Sequence, residues 1–196
     1  MASVGKFAIL MDGGFVTKKL SQRHGRFPTA NDIEAECTRI KRHEALADKE
    51  LLRNYWYDAR PATDTIANPL DGQSISLGTT RVLRENSSLQ QAIELLPDFA
   101  LRAGETVVHG WQLGGKAMQS LSQTPRQLEP RDLIPNIEQK GVDLRIGLDI
   151  ARLSLRQLVD VIVLVSGDSD FVPALKFARR EGIRVFLDHM GHGVRR

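Results

Sequence analysis

Apolar residues along this chain fall into two patterns, short unbroken runs and helically spaced positions. Unbroken, aromatic or alternating runs predict five strands, at residues 7–11, 54–58, 106–113, 161–165 and 183–187. Helical spacing predicts helices at residues 29–53, 90–102, 139–155 and 172–179. Strands that alternate with helices predict an α/β fold, in which a central, mainly parallel sheet is flanked by helices.

The helix predicted at 139–155 has the clearest apolar face. Its inner positions are Val142, Ile146, Ile150 and Leu153. Further apolar positions widen that face and predict a helix well covered by the sheet: Leu144, Leu148, Ala151 and Leu155. Two segments lack such periodicity. Residues 61–88 are predicted to be a loop or insertion, and residues 114–139 a surface segment.

Composition limits the class of protein. A chain of 196 residues is long enough for one sizeable domain, so we expect a single domain over 1–196. The net charge of +3 permits a polyanionic partner without requiring one. Cys37 has no second cysteine to pair with, and only five apolar residues separate Lys6 from Asp12, too few for a signal peptide. No run approaches a membrane span, so a cytoplasmic protein is expected.

Carboxylates stand where the predicted strands end. Asp12 follows the first strand, Asp58 closes the second, and Asp168 and Asp170 follow the strand at 161–165. Asp143 lies at the start of the helix that precedes that last strand. The carboxyl ends of parallel strands share one edge of a sheet, which is where α/β proteins bind ligands. The sequence therefore predicts that Asp12, Asp143, Asp168 and Asp170 gather at one edge, whereas Asp58 receives no role.

A purely structural role for the same residues is an alternative. Aspartate and serine are preferred helix N-caps, so Asp12, Asp168 or Asp170 could serve only to satisfy free amides. Asp143 could be a first-turn acid that is stabilised by the helix dipole. Asp149 lies about a third of a turn away from Asp143 on the helical wheel, so we expect it to support the site by pairing with a nearby base.

A cluster of four carboxylates is costly without a cation. Two carboxylates ~5 Å apart repel each other by about 3 kcal/mol at an effective dielectric constant near 20. A hard divalent ion removes that cost, and oxygen ligands select Mg²⁺ or Mn²⁺ over zinc. Such an ion can activate water for attack on a phosphate, so the sequence predicts phosphodiester hydrolysis if a nucleic-acid strand reaches the acids.

Three sequence blocks resemble the motifs of NYN domains of the LabA/DUF88 type, which belong to the PIN-like nucleases. The blocks are Leu10-Met11-Asp12-Gly13-Gly14, Lys140-Gly141-Val142-Asp143 and Leu164-Val165-Ser166-Gly167-Asp168-Ser169-Asp170-Phe171-Val172-Pro173. The resemblance implies a three-layer PIN-like fold and a Mg²⁺- or Mn²⁺-dependent ribonuclease site on Asp12, Asp143, Asp168 and Asp170. Lys140 and Ser166 match flanking motif positions. Many relatives carry Asn three residues after the first Asp, where this chain has Phe15.

The leading hypothesis is therefore a metal-dependent endoribonuclease acting on RNA. The alternative is a non-catalytic RNA- or protein-binding module that keeps the same scaffold, which Phe15 and the modest net charge favour. A third hypothesis is a phosphatase or nucleotide hydrolase that uses the same acids. An exposed edge strand at 183–187 would permit two copies of the chain to pair.

Overall fold

A computed structural model of the protein describes residues 4–193. Its centre is a six-stranded sheet in the order β6-β5-β2-β1-β7-β8. The strands are β1 Gly5–Asp12, β2 Lys49–Ala59, β5 Phe99–Leu113, β6 Leu133–Lys140, β7 Val161–Val165 and β8 Arg184–Asp188. All neighbours in this sheet pair in parallel except β5 and β6, which are antiparallel. The predicted α/β fold with a mainly parallel sheet is confirmed.

The two central strands explain why the sheet is buried on both faces. Along β1, Phe7, Ile9 and Met11 belong to one hydrophobic cluster, whereas Ala8 and Leu10 belong to the other. Successive side chains of a strand point to opposite faces, so an unbroken apolar run supplies both clusters. Every residue of β7 is buried in the same alternating way.

Helices cover the two faces in separate groups and complete a three-layer arrangement. One group is α1 Gly13–His24, α2 Ala30–Lys41 and α3 Arg81–Glu94, and the other is α5 Val142–Leu155 and α6 Val172–Arg180. Leu20, Ile33 and Ile93 contribute to the first cluster. Ile146, Ile150 and Ala178 contribute to the second.

The part of the chain between β2 and α5 differs most from the prediction. Residues 61–88 contain a small antiparallel pair, β3 Thr65–Ala67 and β4 Ser74–Ser76, and the first half of α3. The segment 114–139, predicted to be a surface segment, is mostly exposed and contains α4 Gly115–Gln123 and most of β6. The sequence did not indicate β6, because this strand is held by its pairing with β5 and carries little apolar alternation of its own.

Two predicted helices extended past the observed helix ends, because the pairing of strands overrides local spacing. The helix predicted at 29–53 ends at Lys41, and Leu51 pairs with Phe7 as part of β2. The helix predicted at 90–102 is displaced, since α3 runs from Arg81 to Glu94 and β5 begins at Phe99. Residues 99–104 form a strand and not a helix because they pair in parallel with β2.

The outer face of α5 was also predicted wrongly. Its apolar residues outside the inner face are not covered by the sheet, since Leu144, Leu148 and Leu155 are 65%, 59% and 61% exposed. An α-helix in the outer layer can bury only one stripe of side chains, and Ile146 and Ile150 fill that stripe. Across residues 4–193, none of the helices has the length and apolar character needed to span a bilayer.

Candidate functional site

Asp12 holds two structural elements together at the end of β1. One carboxylate oxygen, Oδ1, accepts a hydrogen bond of 3.1 Å from the backbone amide of Phe15, so Asp12 caps α1. The other, Oδ2, accepts a hydrogen bond of 3.0 Å from the Ser166 hydroxyl. Ser166 is fully buried directly after β7, and its hydroxyl links the corners that follow the two central strands.

Asp168 and Asp170 lie on the corner that follows β7. The backbone amide of Asp168 donates to the Ser166 hydroxyl at 3.2 Å. Asp168 Oδ1 accepts from the backbone amide of Asp170 at 2.9 Å and caps the short 3-10 turn Ser169–Phe171. Among the described residues, nothing forms a hydrogen bond or ion pair with the Asp170 carboxylate. A capping role therefore explains the position of one oxygen of Asp168, but it does not explain the Asp170 carboxylate.

Asp143 reaches the same end of the sheet from a different element. It lies in the first turn of α5, after Gly141, whose φ of 76° is in the left-handed region that favours glycine. The residue as a whole is exposed, and its carboxylate has no hydrogen-bond or ion-pair partner within residues 4–193. A first-turn acid is stabilised by the helix dipole, but that explanation does not account for its acidic neighbours.

The charges of Asp143, Asp168 and Asp170 influence the pKa of Asp12 or of Asp143. Burial raises the pKa of Asp12, and the charges of Asp143 and Asp168 raise that pKa further. Partial burial raises the pKa of Asp143, and the charges of Asp168 and Asp170 add to that effect. In the described part of the chain, no lysine, arginine or histidine forms an ion pair with any of the four. The group therefore carries negative charge that no ion pair offsets.

The donor set fits a hydrated hard cation. Within residues 4–193, no three Asp, Glu, His or Cys side chains are grouped closely enough to hold a metal ion together. Mg²⁺ does not need such a cage, because it keeps several waters and is usually bound through one or two carboxylates. Oxygen donors with raised pKa values and no basic partner suit an ion of this kind.

The two remaining residues singled out in the sequence occupy different surroundings. Asp149 Oδ2 accepts from the Tyr57 hydroxyl at 2.9 Å and from Arg102 Nε at 3.0 Å, so it joins α5 to β2 and β5. Burial, followed by the charge of Asp149, raises the pKa of Tyr57. The Lys140 ammonium lies 3.4 Å from Glu138 on the exposed end of β6. Neither residue contacts the four acids directly.

A fifth acid, Asp58, was noted in the sequence as the end of a strand but was assigned no role. It is 5% exposed. Its Oδ2 accepts from Gln90 Nε2 at 3.1 Å, and its Oδ1 accepts from the amide of Ala59 at 2.8 Å. Burial raises the pKa of Asp58, and the charge of Asp12 on the neighbouring strand raises it further. Its place at the end of a predicted strand could have marked Asp58 as a candidate. The sequence does not show, however, that Asp12 lies on the neighbouring strand.

Comparison with known proteins identifies the family. The NYN domain model matches residues 70–190, which is more than half of the chain. The chain belongs to the NYN domain family. The matched range includes Asp143, Asp168 and Asp170, whereas Asp12 precedes it. NYN domains are PIN-like nuclease domains, a superfamily that typically uses divalent metal ions, and the three-layer fold with its mainly parallel sheet is consistent with that assignment.

Comparison with individual proteins adds little to the family assignment. A search of curated proteins found no significant match. Among solved structures, the chain is similar to a protein of unknown function, VPA0982, from Vibrio parahaemolyticus RIMD 2210633. The two are 17% identical, the match covers 95% of this chain and 83% of that chain, and the TM-score is 0.48.

Replacing Asp143 by Asn in this NYN domain is expected to raise the melting temperature near pH 7 by about 1–3 °C. The folded protein raises the pKa of Asp143 above its ordinary value of 3.8. The stability associated with this shift is fully present below that ordinary value and is lost as the pH rises through the raised pKa. The gain from Asn should therefore shrink as the pH falls towards about 4.

Thermal unfolding of the wild type and the Asp143→Asn variant across this pH range measures the effect. Glu50→Gln is the matched control, because Glu50 is an exposed acid at the opposite end of the sheet, near the start of β2. A gain for Asp143→Asn that is equal at both ends of the pH range, or that Glu50→Gln reproduces, would contradict the electrostatic explanation.

Proposed function

We propose that this protein is a metal-dependent endoribonuclease of the LabA/DUF88 type, which hydrolyses RNA phosphodiester bonds at Asp12, Asp143, Asp168 and Asp170. One observation carries the proposal. Burial, and after it the charges of neighbouring carboxylates from three separate parts of the chain, raises the pKa of Asp12 and Asp143, and no basic side chain in residues 4–193 forms an ion pair with any of the four acids. A protein keeps such a repulsive group where a bound cation uses it.

The proposed cofactor is Mg²⁺ or Mn²⁺, which one or two carboxylates of the acidic group would hold together with several waters. When bound, such an ion activates water and neutralises charge on the phosphate. The chain's own residues then have definite tasks. Ser166 and the Phe15 amide orient the two oxygens of Asp12. Asp168 holds the turn that presents Asp170.

Three further residues are proposed to support the site. Ser166 is the hydroxyl that joins the corners carrying Asp12 and Asp168. Asp149 fixes α5 against the sheet through Tyr57 and Arg102, and thereby the first turn of α5 that carries Asp143. Lys140 lies just before that turn, exposed, where a phosphate could contact it.

A non-catalytic RNA- or protein-binding NYN module is the second candidate. Phe15 stands where many family members carry Asn, and the acids in residues 4–193 do not form a three-ligand group. A module that only binds RNA needs no saturable metal site. The two candidates therefore differ in metal binding as well as in cleavage.

We expect Mn²⁺ to bind saturably to the wild type and to activate cleavage of RNA. At a free Mn²⁺ concentration 100 times its dissociation constant, folding is stabilised by about 2.7 kcal/mol, which raises the melting temperature by about 5–10 °C. Calorimetric titration measures binding, and gel analysis of labelled RNA, DNA and small phosphate esters measures activity. EDTA should abolish both effects.

Two outcomes would contradict this proposal. Absence of any Mn²⁺ or Mg²⁺ binding, with intact RNA, would favour the binding module. Turnover of small phosphate esters without RNA cleavage would favour a phosphatase that uses the same acids.

We also propose that residues 1–196 form one NYN domain in which 61–88, with β3, β4 and the start of α3, is an insertion, although residues 1–3 and 194–196 lie outside the described range. Cys37 is a buried free thiol, which is compatible with a reducing cytoplasm. Strand β8 lies at the edge of the sheet, where a second copy could pair with it.

A further inference from the structure

An open pocket of about 670 Å³ lies beside the acidic group. Asp12 and Asp168 line it. Its lining also includes aromatic and basic side chains, which are Phe15, Lys18, Lys19 and His192. The pocket therefore joins the proposed reaction centre to a surface of opposite charge.

The aromatic and basic side chains contact one another. Lys19 Nζ lies 5.8 Å from the centroid of the Phe15 ring and donates to His192 Nδ1 at 3.1 Å. The rings of Phe15 and His192 are 6.0 Å apart with an edge-to-face angle of 73°. Among the described residues, neither Lys18 nor Lys19 pairs with a carboxylate, although both line the pocket that Asp12 and Asp168 share. Their charge remains available to an anion from outside the chain.

The position of the Phe15 ring is set by the same backbone that builds the acidic site. The Phe15 amide donates to Asp12, which fixes the start of α1. A Cβ atom at Gly167 would lie 2.6 Å from Phe15 Cε2, so the ring can reach this place only because residue 167 is glycine. Gly167 directly precedes Asp168, and the ring therefore lies next to the acids.

We propose that Phe15, Lys19 and His192 form a subsite for one unpaired nucleotide beside the bond that is cut, so that the substrate is single-stranded RNA. The inference rests on the proposed function and deepens it. An aromatic face with lysines around it is the usual means of binding single strands, since the base stacks on the ring and the ammonium groups contact phosphates. A base inside a duplex is stacked on both faces and cannot use Phe15 in this way.

Part of the Phe15 ring also packs against the hydrophobic cluster that contains β1 and α1, so loss of the side chain could disturb the fold. Two variants separate the roles. Phe15→Leu keeps an apolar side chain of similar bulk and removes the aromatic face. Phe15→Tyr keeps the face.

The experiment measures binding without cleavage. A labelled single-stranded RNA and a duplex of the same length are titrated in EDTA and followed by fluorescence anisotropy. We expect Phe15→Leu to weaken single-strand binding by about 5- to 150-fold and Phe15→Tyr to restore it. Duplex binding should be weak in the wild type and unchanged in both variants.

The role of Lys19 is tested by comparison with a lysine elsewhere on the surface. Lys19→Ala should weaken single-strand binding and reduce the slope of log affinity against log salt by about one unit. Lys176 on α6 is the control, since it lies in a cluster with Arg179 and Arg180 that has no aromatic side chain. Lys176→Ala should leave both the affinity and the slope close to those of the wild type.

The outcomes distinguish the two proposals. If the wild type cleaves RNA but Phe15→Leu binds single strands as well as Phe15→Tyr does, only the subsite is wrong. Equal losses for Lys19→Ala and Lys176→Ala overturn the subsite as well. If the wild type neither binds nor cleaves RNA, the proposed function itself is lost, and the subsite with it.

Discussion

The double variant Asp168→Asn, Asp170→Asn is expected to lose Mn²⁺-dependent RNA cleavage by about a thousandfold or more, with its fold intact. Both carboxylates belong to the proposed metal site, and electrostatic groups of this kind each contribute large factors to the rate. The fold should survive because Asn caps helices about as well as Asp does, so an amide oxygen can still accept from the backbone of residue 170. Removal of two like charges also relieves repulsion of Asp143.

The measurement is the initial rate of cleavage of labelled RNA at saturating Mn²⁺, together with a thermal unfolding curve for each protein. Asp48→Asn, Glu50→Gln is the matched control, because it removes two exposed acids from the opposite end of the sheet. Cleavage by the site variant at the wild-type rate would falsify the assignment of these residues. A rate lost in both double variants would indicate a general charge effect.

Replacing Gly13 by Ala is expected to lower the free energy of unfolding by about 3 kcal/mol, which lowers the melting temperature by about 6–12 °C. A Cβ atom at residue 13 would lie 2.7 Å from the carbonyl oxygen of Tyr57 and 2.8 Å from the Trp56 indole ring. Both neighbours are fully buried members of β2, so neither can move aside without a change in the sheet. Overpacking of this kind costs more when backbone blocks the new atom.

Gly14→Ala is the control for this prediction. Apart from its chain neighbours and the backbone of α1, the one atom of residues 4–193 within 4 Å of a Cβ at residue 14 is Asp12 Oδ1, at 3.7 Å, which is ordinary contact. Because Gly14 lies in the first turn of α1, alanine there should be neutral or stabilise the protein by up to about 1 kcal/mol. Urea unfolding followed by tryptophan fluorescence measures both variants. Similar stabilities for the two would show that the close approach of α1 to β2 is not what requires glycine at residue 13.

The accuracy of the sequence predictions depended on how much of each element's surroundings its own residues encode. Strands β1 and β7 were recognised because a strand between two helical layers must be apolar on both faces. Strand β6 carries exposed polar side chains and was missed, since only its pairing with β5 reveals it. Leu144 and Leu148 fitted a wide apolar face that the sheet does not cover.

The features of the candidate site also differ in how far the sequence predicts them. Placing acids at the ends of strands required only the strand pattern. In the structure the charges of Asp143 and Asp168 act on Asp12, and those of Asp168 and Asp170 act on Asp143. Their catalytic and metal-binding roles remain predictions. The partners of Asp58 and Asp149 could not be foreseen, because Gln90 lies 32 positions from Asp58 and Arg102 lies 47 positions from Asp149 along the chain.

By itself, the sequence determined the α/β class, the two central strands and the motif residues of an NYN domain, because periodicity and short motifs are local properties of the chain. Only the tertiary structure decided the order of the strands, the neighbours of Asp12 and the pocket that sets Phe15 beside His192. Those features arise from contacts between segments far apart along the chain. Such contacts depend on which strand packs beside which, and no local pattern carries that information.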